Sequence, residues 1–406
     1  MQQSIVDRPA SKTQQPTGAI TRRVIPTPLI SSSNALEENV TMKLRRLSGC
    51  MWITAAAAIA LVGAGPAFAK EKLVYATYFS NVYSASKTDQ WFMGEVEKRS
   101  GGEITFETFW NQSLVKAPEL FPALRSGAAD IVDGAPSSYN VREYPLANIV
   151  LPLTSTKADA VTLAWNKLYA QNADFRKEFE SKGAKILYAG AWAENSMWAR
   201  RPITKAADFK GLKVRAVPAV SDAYAALGAT PVALSWPDGL EGLQRGVVDA
   251  MSSAPFDSGI LGGAHEVGKY GSDAGGMGIF AMATVGISLD RYKRLSDTHR
   301  KIIDEVAAET PNMSIKFNDE SVGLAVDKLC ATRDAITVNV FSAEEAEKVR
   351  KGAVSPLQDA WIKRASEANV NGRAMLDEFL GYVREFEKTS TYVPGVERFL
   401  QKCGKS

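Results

Sequence analysis

A short frame of residues occurs twice in this chain of 406 residues, and it limits the folds that the chain can adopt. Leu124-Arg-Ser-Gly-Ala-Ala-Asp130 and Leu243-Gln-Arg-Gly-Val-Val-Asp249 carry leucine, glycine and aspartate at the same spacing. In each copy a helical pattern ends at a glycine, which readily adopts the positive φ of a helix C-cap. A short apolar strand and a loop of small residues follow. Two such units far apart in the sequence predict two similar α/β lobes with a cleft between them.

The order of elements along the chain favours the same fold class. Lys72–Thr77 and Ile104–Phe109 have the apolar, β-branched composition of strands, and a helix is predicted between them at Ser86–Lys98. A second round of this alternation begins at Lys213–Ala216, and the rest of the chain is mostly helical, with one strand predicted at Ala335–Val340. Alternating strands and helices indicate mixed, mainly parallel sheets flanked by helices.

Residues 42–69 have the pattern of an export signal. A basic segment, Met42–Arg46, precedes an apolar run from Met51 to about Gly65, and Ala67-Phe-Ala69 has the small-x-small pattern of a cleavage site. We therefore expect residues 42–69 to be a signal peptide cleaved near Ala69/Lys70, residues 1–41 to be a non-native extension, and the mature protein to be periplasmic. The alternative, an uncleaved anchor, requires a longer apolar run of about 20 residues.

Charge and cysteine usage narrow the class of protein further. Basic and acidic residues nearly balance, 48 against 45, and form no basic block, which argues against a nucleic-acid partner. Beyond the signal peptide the cysteines are Cys330 and Cys403. In an oxidising compartment these two either pair as a disulfide or remain as two buried thiols. We expect a monomer.

The sequence contains little that favours catalysis. The chain has two histidines: His265 lies in a Gly-Gly-Ala-His-Glu segment, and His299 is predicted to lie on an exposed helix face. GxSxG, HExxH and Walker motifs are absent, as are His/Cys spacings typical of metal sites. We therefore predict that the protein is not an enzyme and needs no cofactor. The sequence gives no indication of a cation bound in the cleft. A secreted hydrolase is the alternative.

A binding site has better support, and Arg215 is its principal residue. Arg215 lies at the end of an apolar strand, where a guanidinium can hold a carboxylate through two parallel hydrogen bonds. The alternative is that Arg215 pairs with an aspartate or glutamate between the lobes. Trp236 lies at a strand-to-helix junction and Tyr78 just after the first strand, so both are candidates for cleft walls.

Further candidates lie near the passage from the first round to the second. Trp192, Asn195 and Trp198 cluster there, and the sequence leaves open whether they belong to a pocket or to the core. Ser138 and Ser253 lie in the small-residue loops after the two repeat copies, where their hydroxyls are expected to orient a ligand.

From about Leu73 to Phe386 the chain resembles a known family, the DctP-type extracytoplasmic solute receptors of tripartite ATP-independent periplasmic (TRAP) transporters. The resemblance rests on both repeat copies and on three further segments: Phe92–Gly101, Arg201-Pro-Ile203 and Asp208–Arg215. It implies a two-lobe periplasmic-binding-protein fold with a long helix between the lobes, small and large membrane subunits as partners, and a carboxylate held by Arg215. Lobe I is expected to comprise residues 70–192 plus about 282–320, and lobe II residues 193–281 plus about 321–406.

Two positions differ from the sialic-acid receptors of this family. By this resemblance, Asn195 stands at the position where the sialic-acid receptors carry a second ligand arginine. Ser252-Ser-Ala-Pro255 stands where they carry an asparagine in a Glu-Asn-Pro segment. The solute expected here is therefore a small monocarboxylate, with aromatic, 2-oxo and 2-hydroxy acids as candidates, rather than a sugar acid. The alternative function is an ABC-type or sensor-linked periplasmic binding protein.

Overall fold

A computed structural model describes residues 70–404, so the predicted extension (1–41) and signal peptide (42–69) lie outside the described residues. The strands are β1 Glu71–Thr77, β2 Ile104–Phe109, β3 Ile131–Gly134, β4 Ala184–Ala191, β5 Asn195–Ala199, β6 Lys213–Arg215, β7 Thr230–Val232, β8 Ala250–Pro255, β9 Tyr270–Ser272, β10 Met282–Ser288 and β11 Thr337–Asn339. The α-helices are α1 Ser84–Arg99, α2 Leu120–Ser126, α3 Pro136–Tyr139, α4 Ala158–Gln171, α5 Ala173–Glu180, α6 Pro218–Ala226, α7 Trp236–Arg245, α8 Phe256–Leu261, α9 Ala264–Val267, α10 Leu289–Arg294, α11 Asp297–Ala331, α12 Ala343–Val349, α13 Ser355–Glu367, α14 Gly372–Glu387 and α15 Gly395–Cys403.

The strands form two sheets with one shared arrangement. The first sheet has the order β2-β1-β3-β10-β4, and the second, taken in the same sense, has the order β7-β6-β8-β5-β9-β11. In the first sheet β10 is antiparallel to both neighbours, and in the second β5 is antiparallel to both of its neighbours. All other pairings are parallel. The predicted α/β fold with two mixed, mainly parallel sheets is confirmed.

The duplicated sequence frame occupies corresponding places in the two sheets. Helix α2 ends at Gly127 with φ 75°, and α7 ends at Gly246 with φ 76°, both in the left-handed region that favours glycine. The strands that follow, β3 and β8, each lie between a parallel neighbour and the antiparallel strand of their sheet. The repeat therefore encodes the equivalent helix–strand unit of each sheet.

The described chain passes between the sheets three times, and the first two passages are short and each deliver an antiparallel strand. The third passage runs from β10 through α10 and α11 to β11. Residues 192–194 lead from β4 into β5, and residues 273–281 lead from β9 into β10. The two crossing segments are joined by a hydrogen bond of 2.9 Å from the Asn195 N–H to the Gly278 carbonyl. This topology is compatible with the lobe boundaries expected at residues 192/193 and 281/282, which stay a prediction.

Helix α11 is the longest element, with 35 residues and a length of about 50 Å. It packs against strand β4 of the first sheet and against the helices α1, α8 and α15. Pro311 and buried polar residues such as Ser314 and Asn318 interrupt the apolar stripe of this helix. Within residues 70–404 neither α11 nor any other helix is long and apolar enough to cross a membrane.

The C-terminal segment is fastened at two points. A disulfide joins Cys330 in α11 to Cys403 in α15, which resolves the choice between a bond and two thiols. The Glu194 carboxylate accepts hydrogen bonds from the N–H of Gly395 at 2.6 Å and from the Tyr392 hydroxyl at 2.9 Å. Because Glu194 belongs to the first crossing segment, α15 is tied both to the long helix and to the passage between the sheets.

The disulfide is expected to stabilise the mature protein substantially. It closes a loop with a sequence separation of 73 residues, for which the restriction of the unfolded chain contributes on the order of 4 kcal/mol. Cys403→Ser should lower the free energy of unfolding by an amount of that order in urea denaturation. Cys330→Ser and the double variant should show the same loss, since each removes the same bond. Equal stability of the oxidised and the fully reduced wild-type protein would contradict this account.

Candidate functional site

A cavity with about 440 Å³ of empty space, part of which is open to solvent, lies between the two sheets, beside both crossing segments. All of the predicted ligand-binding residues line it: Tyr78, Ser138, Trp192, Asn195, Arg215, Trp236 and Ser253. Residues far apart in the chain thus come together in one cavity, and their role in ligand binding stays a prediction.

Arg215 lies at the end of β6 with only 1% of its surface exposed. Its Nε donates to the Leu234 carbonyl at 3.0 Å, and its Nη1 donates to the carbonyls of Ser252 at 3.1 Å and Ser253 at 2.8 Å. Its Nη2 donates to the Tyr139 hydroxyl at 3.1 Å. Neutral oxygens thus hold the guanidinium in one orientation at the cavity wall.

No carboxylate among residues 70–404 forms an ion pair with Arg215, so the expected alternative of an interlobe acidic partner is wrong. The described residues that line the cavity also include no aspartate, glutamate, lysine or histidine. A buried charge is costly unless an opposite charge compensates it. The arrangement is therefore that of a cationic site suited to an anion.

The start of helix α7 covers Arg215 because of two local features. The Ser235 hydroxyl accepts from the Asp238 N–H and begins the helix, with Pro237 in the first turn. A Cβ atom on Gly239 would lie 3.0–3.2 Å from the Arg215 side chain, so glycine lets the helix approach this closely. Trp236 is thereby placed with its ring centre 5.7 Å from the guanidinium carbon of Arg215.

The last part of β8 is shaped by two residues that the sequence predicts to contact the ligand, Ser253 and Asn195. Ser253 has φ 52°, a left-handed conformation that is uncommon outside glycine and frequent at functional sites. Its hydroxyl accepts from the Val217 N–H at 3.3 Å. The Asn195 side-chain oxygen accepts from the Ala254 N–H at 2.9 Å. Both side chains line the cavity, but their hydrogen bonds also position the carbonyls that orient Arg215.

Aromatic rings form much of the remaining wall. The ring of Tyr78 lies 4.1 Å from that of Phe79 and 5.6 Å from that of Tyr139, and Phe79 lies 5.4 Å from Trp192. Within the described residues, Trp192 Nε1 and Ser138 Oγ are buried without a hydrogen-bond partner. The residues that line the cavity therefore provide one cation, aromatic rings and two buried polar groups without a hydrogen-bond partner.

Of the two clustered tryptophans whose role the sequence leaves open, Trp192 belongs to the pocket and Trp198 to the core. Trp192 lines the cavity, whereas Trp198 is buried away from it with its ring edge-on to His265 at 5.9 Å. Glycines at 259 and 271 leave room for the Trp198 indole, since a Cβ at either position would come within 3 Å of it. Trp198 is thus a core residue.

Sequence reasoning missed several residues of the cavity, and Tyr139 is the most important of them. Tyr139 ends the small-residue loop after the first repeat copy, from which only Ser138 was selected. Phe79 and Phe280 also line the cavity, and Gly278 adopts φ 62° beside them. The glycine-rich segment around Gly278 was a usable signal, because it marks a backbone that bends close to the site.

Hydrogen bonds connect the two sides of the cleft directly. Arg215 reaches Tyr139, Trp236 Nε1 donates to the Tyr83 hydroxyl at 3.2 Å, and the Ser84 hydroxyl donates to the Asp257 carboxylate at 3.2 Å. Burial raises the pKa of Tyr83 and of Tyr139, so their hydroxyls keep their protons at neutral pH. The structure is thus in a closed form.

The histidines take no part in this cavity. His265 and His299 are both 1% exposed, and the expected exposed position of His299 is wrong: its Nε2 lies 3.1 Å from the Glu103 carboxylate, because the start of α11 packs against the first sheet. Residues 70–404 contain no group of three or more His, Cys, Asp or Glu side chains arranged to hold a metal.

Comparison with known proteins gives consistent results. The family model described as bacterial extracellular solute-binding protein, family 7 (DctP), matches residues 80–364. The ectoine-binding periplasmic protein TeaA of Halomonas elongata is 25% identical over 307 residues, which cover 74% of this chain and 86% of that protein. A TRAP solute-binding protein of Rhodoferax ferrireducens, solved with copurified benzoate, superposes with a TM-score of 0.68 at 23% identity, covering 78% of this chain and 99% of that one. A Bordetella pertussis receptor binding pyroglutamic acid gives 0.68 at 23% identity, covering 76% and 99%.

Glu194 should make the stability of the protein depend on pH. Burial raises its pKa to about 7, so the folded chain holds a proton that the unfolded chain has lost between pH 7 and about 4.5. Stability therefore rises as the pH falls through this window, by on the order of 3 kcal/mol from this group. Glu194→Gln should flatten the increase in unfolding free energy measured by urea denaturation from pH 8 to pH 5.

Glu397→Gln is the matched control, because Glu397 is exposed on the same C-terminal helix. It should retain the slope of the wild-type protein. The same slope in wild type and in Glu194→Gln would show that Glu194 does not titrate in this way.

Proposed function

The chain belongs to family 7 of the bacterial extracellular solute-binding proteins (DctP), the receptors of TRAP transporters, and we propose that its solute is a small organic monocarboxylate bound in the cavity between the two sheets. The finer candidates are aromatic, 2-oxo and 2-hydroxy acids. The receptor acts in the periplasm, binds its solute without chemical change and delivers it to small and large membrane subunits.

One observation carries this proposal: the buried guanidinium of Arg215 has no carboxylate partner among the described residues, and it lies in the wall of the cavity between the two sheets. A solute carboxylate would supply the missing negative charge through a charge-assisted hydrogen bond, which is stronger than a neutral one. Since the described lining contains a single cationic side chain, a solute with one negative charge fits better than a dianion.

The rest of the lining supports a solute with an apolar, preferably cyclic, body. Tyr78, Phe79, Trp192 and Trp236 present ring faces and edges that suit a flat or apolar group. Trp192 Nε1 and Ser138 Oγ favour a further oxygen on that group, because a buried polar atom without a partner is unfavourable. A sugar acid, with hydroxyls all around its ring, would find few partners here.

The related proteins agree in part with this solute class. The Rhodoferax protein was solved with benzoate and the Bordetella receptor with pyroglutamic acid, and both of these solutes are small cyclic monocarboxylates. Ectoine, the solute of TeaA, is a zwitterion. A zwitterion would bring a cationic group into a described lining that offers no carboxylate, so we favour the monoanion for this chain.

The proposed mechanism is closure around the solute. The carboxylate docks on Arg215 at the carboxyl end of β6 in the second sheet, and the side with Tyr78 and Tyr139 then closes over it and excludes water. Only contacts that the solute makes in the closed form favour that form. The receptor is expected to act as a monomer, without a cofactor and without a nucleic-acid partner.

Arg215→Lys should weaken binding of the solute strongly. Lysine keeps the charge, but it has a single nitrogen and cannot be held by the same set of carbonyls. We expect a loss of about 1.5–3 kcal/mol, or roughly 10- to 150-fold in Kd, by isothermal titration calorimetry. Arg200→Lys is the control, since Arg200 also donates to backbone carbonyls but lies outside the cavity. Equal affinity of wild type and Arg215→Lys would refute the role of Arg215.

A panel of acids tests the class of solute. Benzoate, phenylpyruvate, lactate and pyroglutamate represent monoanions, glucuronate a sugar acid and ectoine a zwitterion. We expect thermal stabilisation by at least one monoanion, growing with concentration as RT ln(1 + [L]/Kd), and none by ectoine or glucuronate. Stabilisation by ectoine or glucuronate alone would show that the proposed class is wrong, although the family assignment would stand.

A further inference from the structure

We propose that Tyr139 is a second anion-binding residue, so that the solute carboxylate is held by one guanidinium nitrogen, Arg215 Nη2, together with the phenol of Tyr139. This inference rests on the proposed function, since it concerns how the same cavity binds a monocarboxylate. It differs from the sequence-based expectation, in which the guanidinium alone makes two parallel hydrogen bonds.

The hydrogen-bond donors of Arg215 determine what remains for a ligand. A guanidinium has five N–H groups: one on Nε and two on each terminal nitrogen. Nε is engaged by the Leu234 carbonyl, and Nη1 by the carbonyls of Ser252 and Ser253. Nη2 has two N–H groups but, within the described residues, a single partner, the Tyr139 hydroxyl. Nη2 is therefore the nitrogen with a donor to spare.

Two parallel hydrogen bonds from the guanidinium would need a second free N–H on a neighbouring nitrogen. Both neighbours, Nε and Nη1, are directed at main-chain carbonyls, and rotating the side chain would leave the buried Ser252 oxygen and the half-buried Leu234 and Ser253 oxygens without this donor. An unsatisfied buried polar group costs about 1–3 kcal/mol, which opposes such a rotation. The second donor to the carboxylate must then come from another residue.

Tyr139 meets the requirements for that donor. Its oxygen accepts from Arg215 Nη2 at 3.1 Å, while the phenolic proton has no acceptor among residues 70–404. Burial raises the pKa of Tyr139, so the phenol remains protonated and able to donate. The residue lines the cavity, and its ring is packed edge-on against Tyr78 at 5.6 Å, which limits its movement.

The two donors are near neighbours that reach the cavity from opposite sides. Arg215 projects from β6 of the second sheet, and Tyr139 ends α3, which follows β3 of the first sheet. With Nη2 and the phenol oxygen 3.1 Å apart, the oxygens of one carboxylate can accept from both. The anion site is thus completed only when the two sides of the cleft meet.

Tyr139→Phe tests the inference with benzoate, phenylpyruvate, lactate and pyroglutamate as probes in calorimetry. Loss of a hydrogen bond to a charged acceptor should weaken the tightest of these probes by roughly 10- to 100-fold. Tyr144→Phe is the matched control, because it removes the same atom from a buried tyrosine whose hydroxyl has no partner in the described residues and which lies outside the cavity. Its affinity should stay within about twofold of wild type.

A crystal structure of the wild-type complex provides an independent readout that does not depend on the variant folding. A carboxylate oxygen within hydrogen-bond distance of both Tyr139 Oη and Arg215 Nη2 supports the inference. A carboxylate on Nη1 and Nη2 with Tyr139 displaced, or wild-type affinity in Tyr139→Phe, overturns it while the proposed function stands. If wild-type protein binds none of the four probes, the proposed solute class fails, and this inference fails with it.

Discussion

The buried, unpaired charge of Arg215 is the constraint on which the site depends. A guanidinium with 1% exposure would be strongly unfavourable in an apolar wall, and here three main-chain carbonyls and a phenol compensate part of that cost. Each of these acceptors requires its own support. The left-handed backbone at Ser253 directs one carbonyl, and Gly239 admits the helix that covers the side chain. The local sequence around the site is therefore explained largely by the need to hold one cation without neutralising it.

The exchange of strands between the sheets explains why the cavity lies where it does. The two short crossing segments, residues 192–194 and 273–281, each lead into the antiparallel strand of the other sheet and are held by strand pairing at both ends. Trp192 and Asn195 reach the cavity from the first crossing, and Gly278 and Phe280 from the second. The carboxylate of Glu194, between those first two residues, fixes the start of the C-terminal helix. Adjacent residues of one short segment thus line the cavity and hold the C-terminal helix in place.

The parts predicted from sequence are those with a local cause. The two helix C-caps follow from Gly127 and Gly246, and Arg215, Trp236 and Tyr78 were recognised because each lies where a strand meets a loop or helix. The parts missed depend on distant partners. Strand β5 has no distinctive local pattern, and its antiparallel place is set by β8 and β9. The polar residues buried along α11 also have partners in distant segments, as when Ser321 donates to Asp257. Tyr139 is inconspicuous until folding brings it 3.1 Å from Arg215.

The placement of Arg215 and Tyr139 on different sides has a consequence for closure. A ligand shifts the balance between open and closed forms only through contacts that differ between them. Arg215 and the carbonyls that orient it all belong to the second sheet and its loops, so a carboxylate on Arg215 alone would bind both forms similarly. A hydrogen bond from Tyr139 exists only when the first side has closed. In the proposed clamp, charge recognition therefore supplies affinity through Arg215, while the neutral phenol of Tyr139 makes the same anion favour the closed receptor.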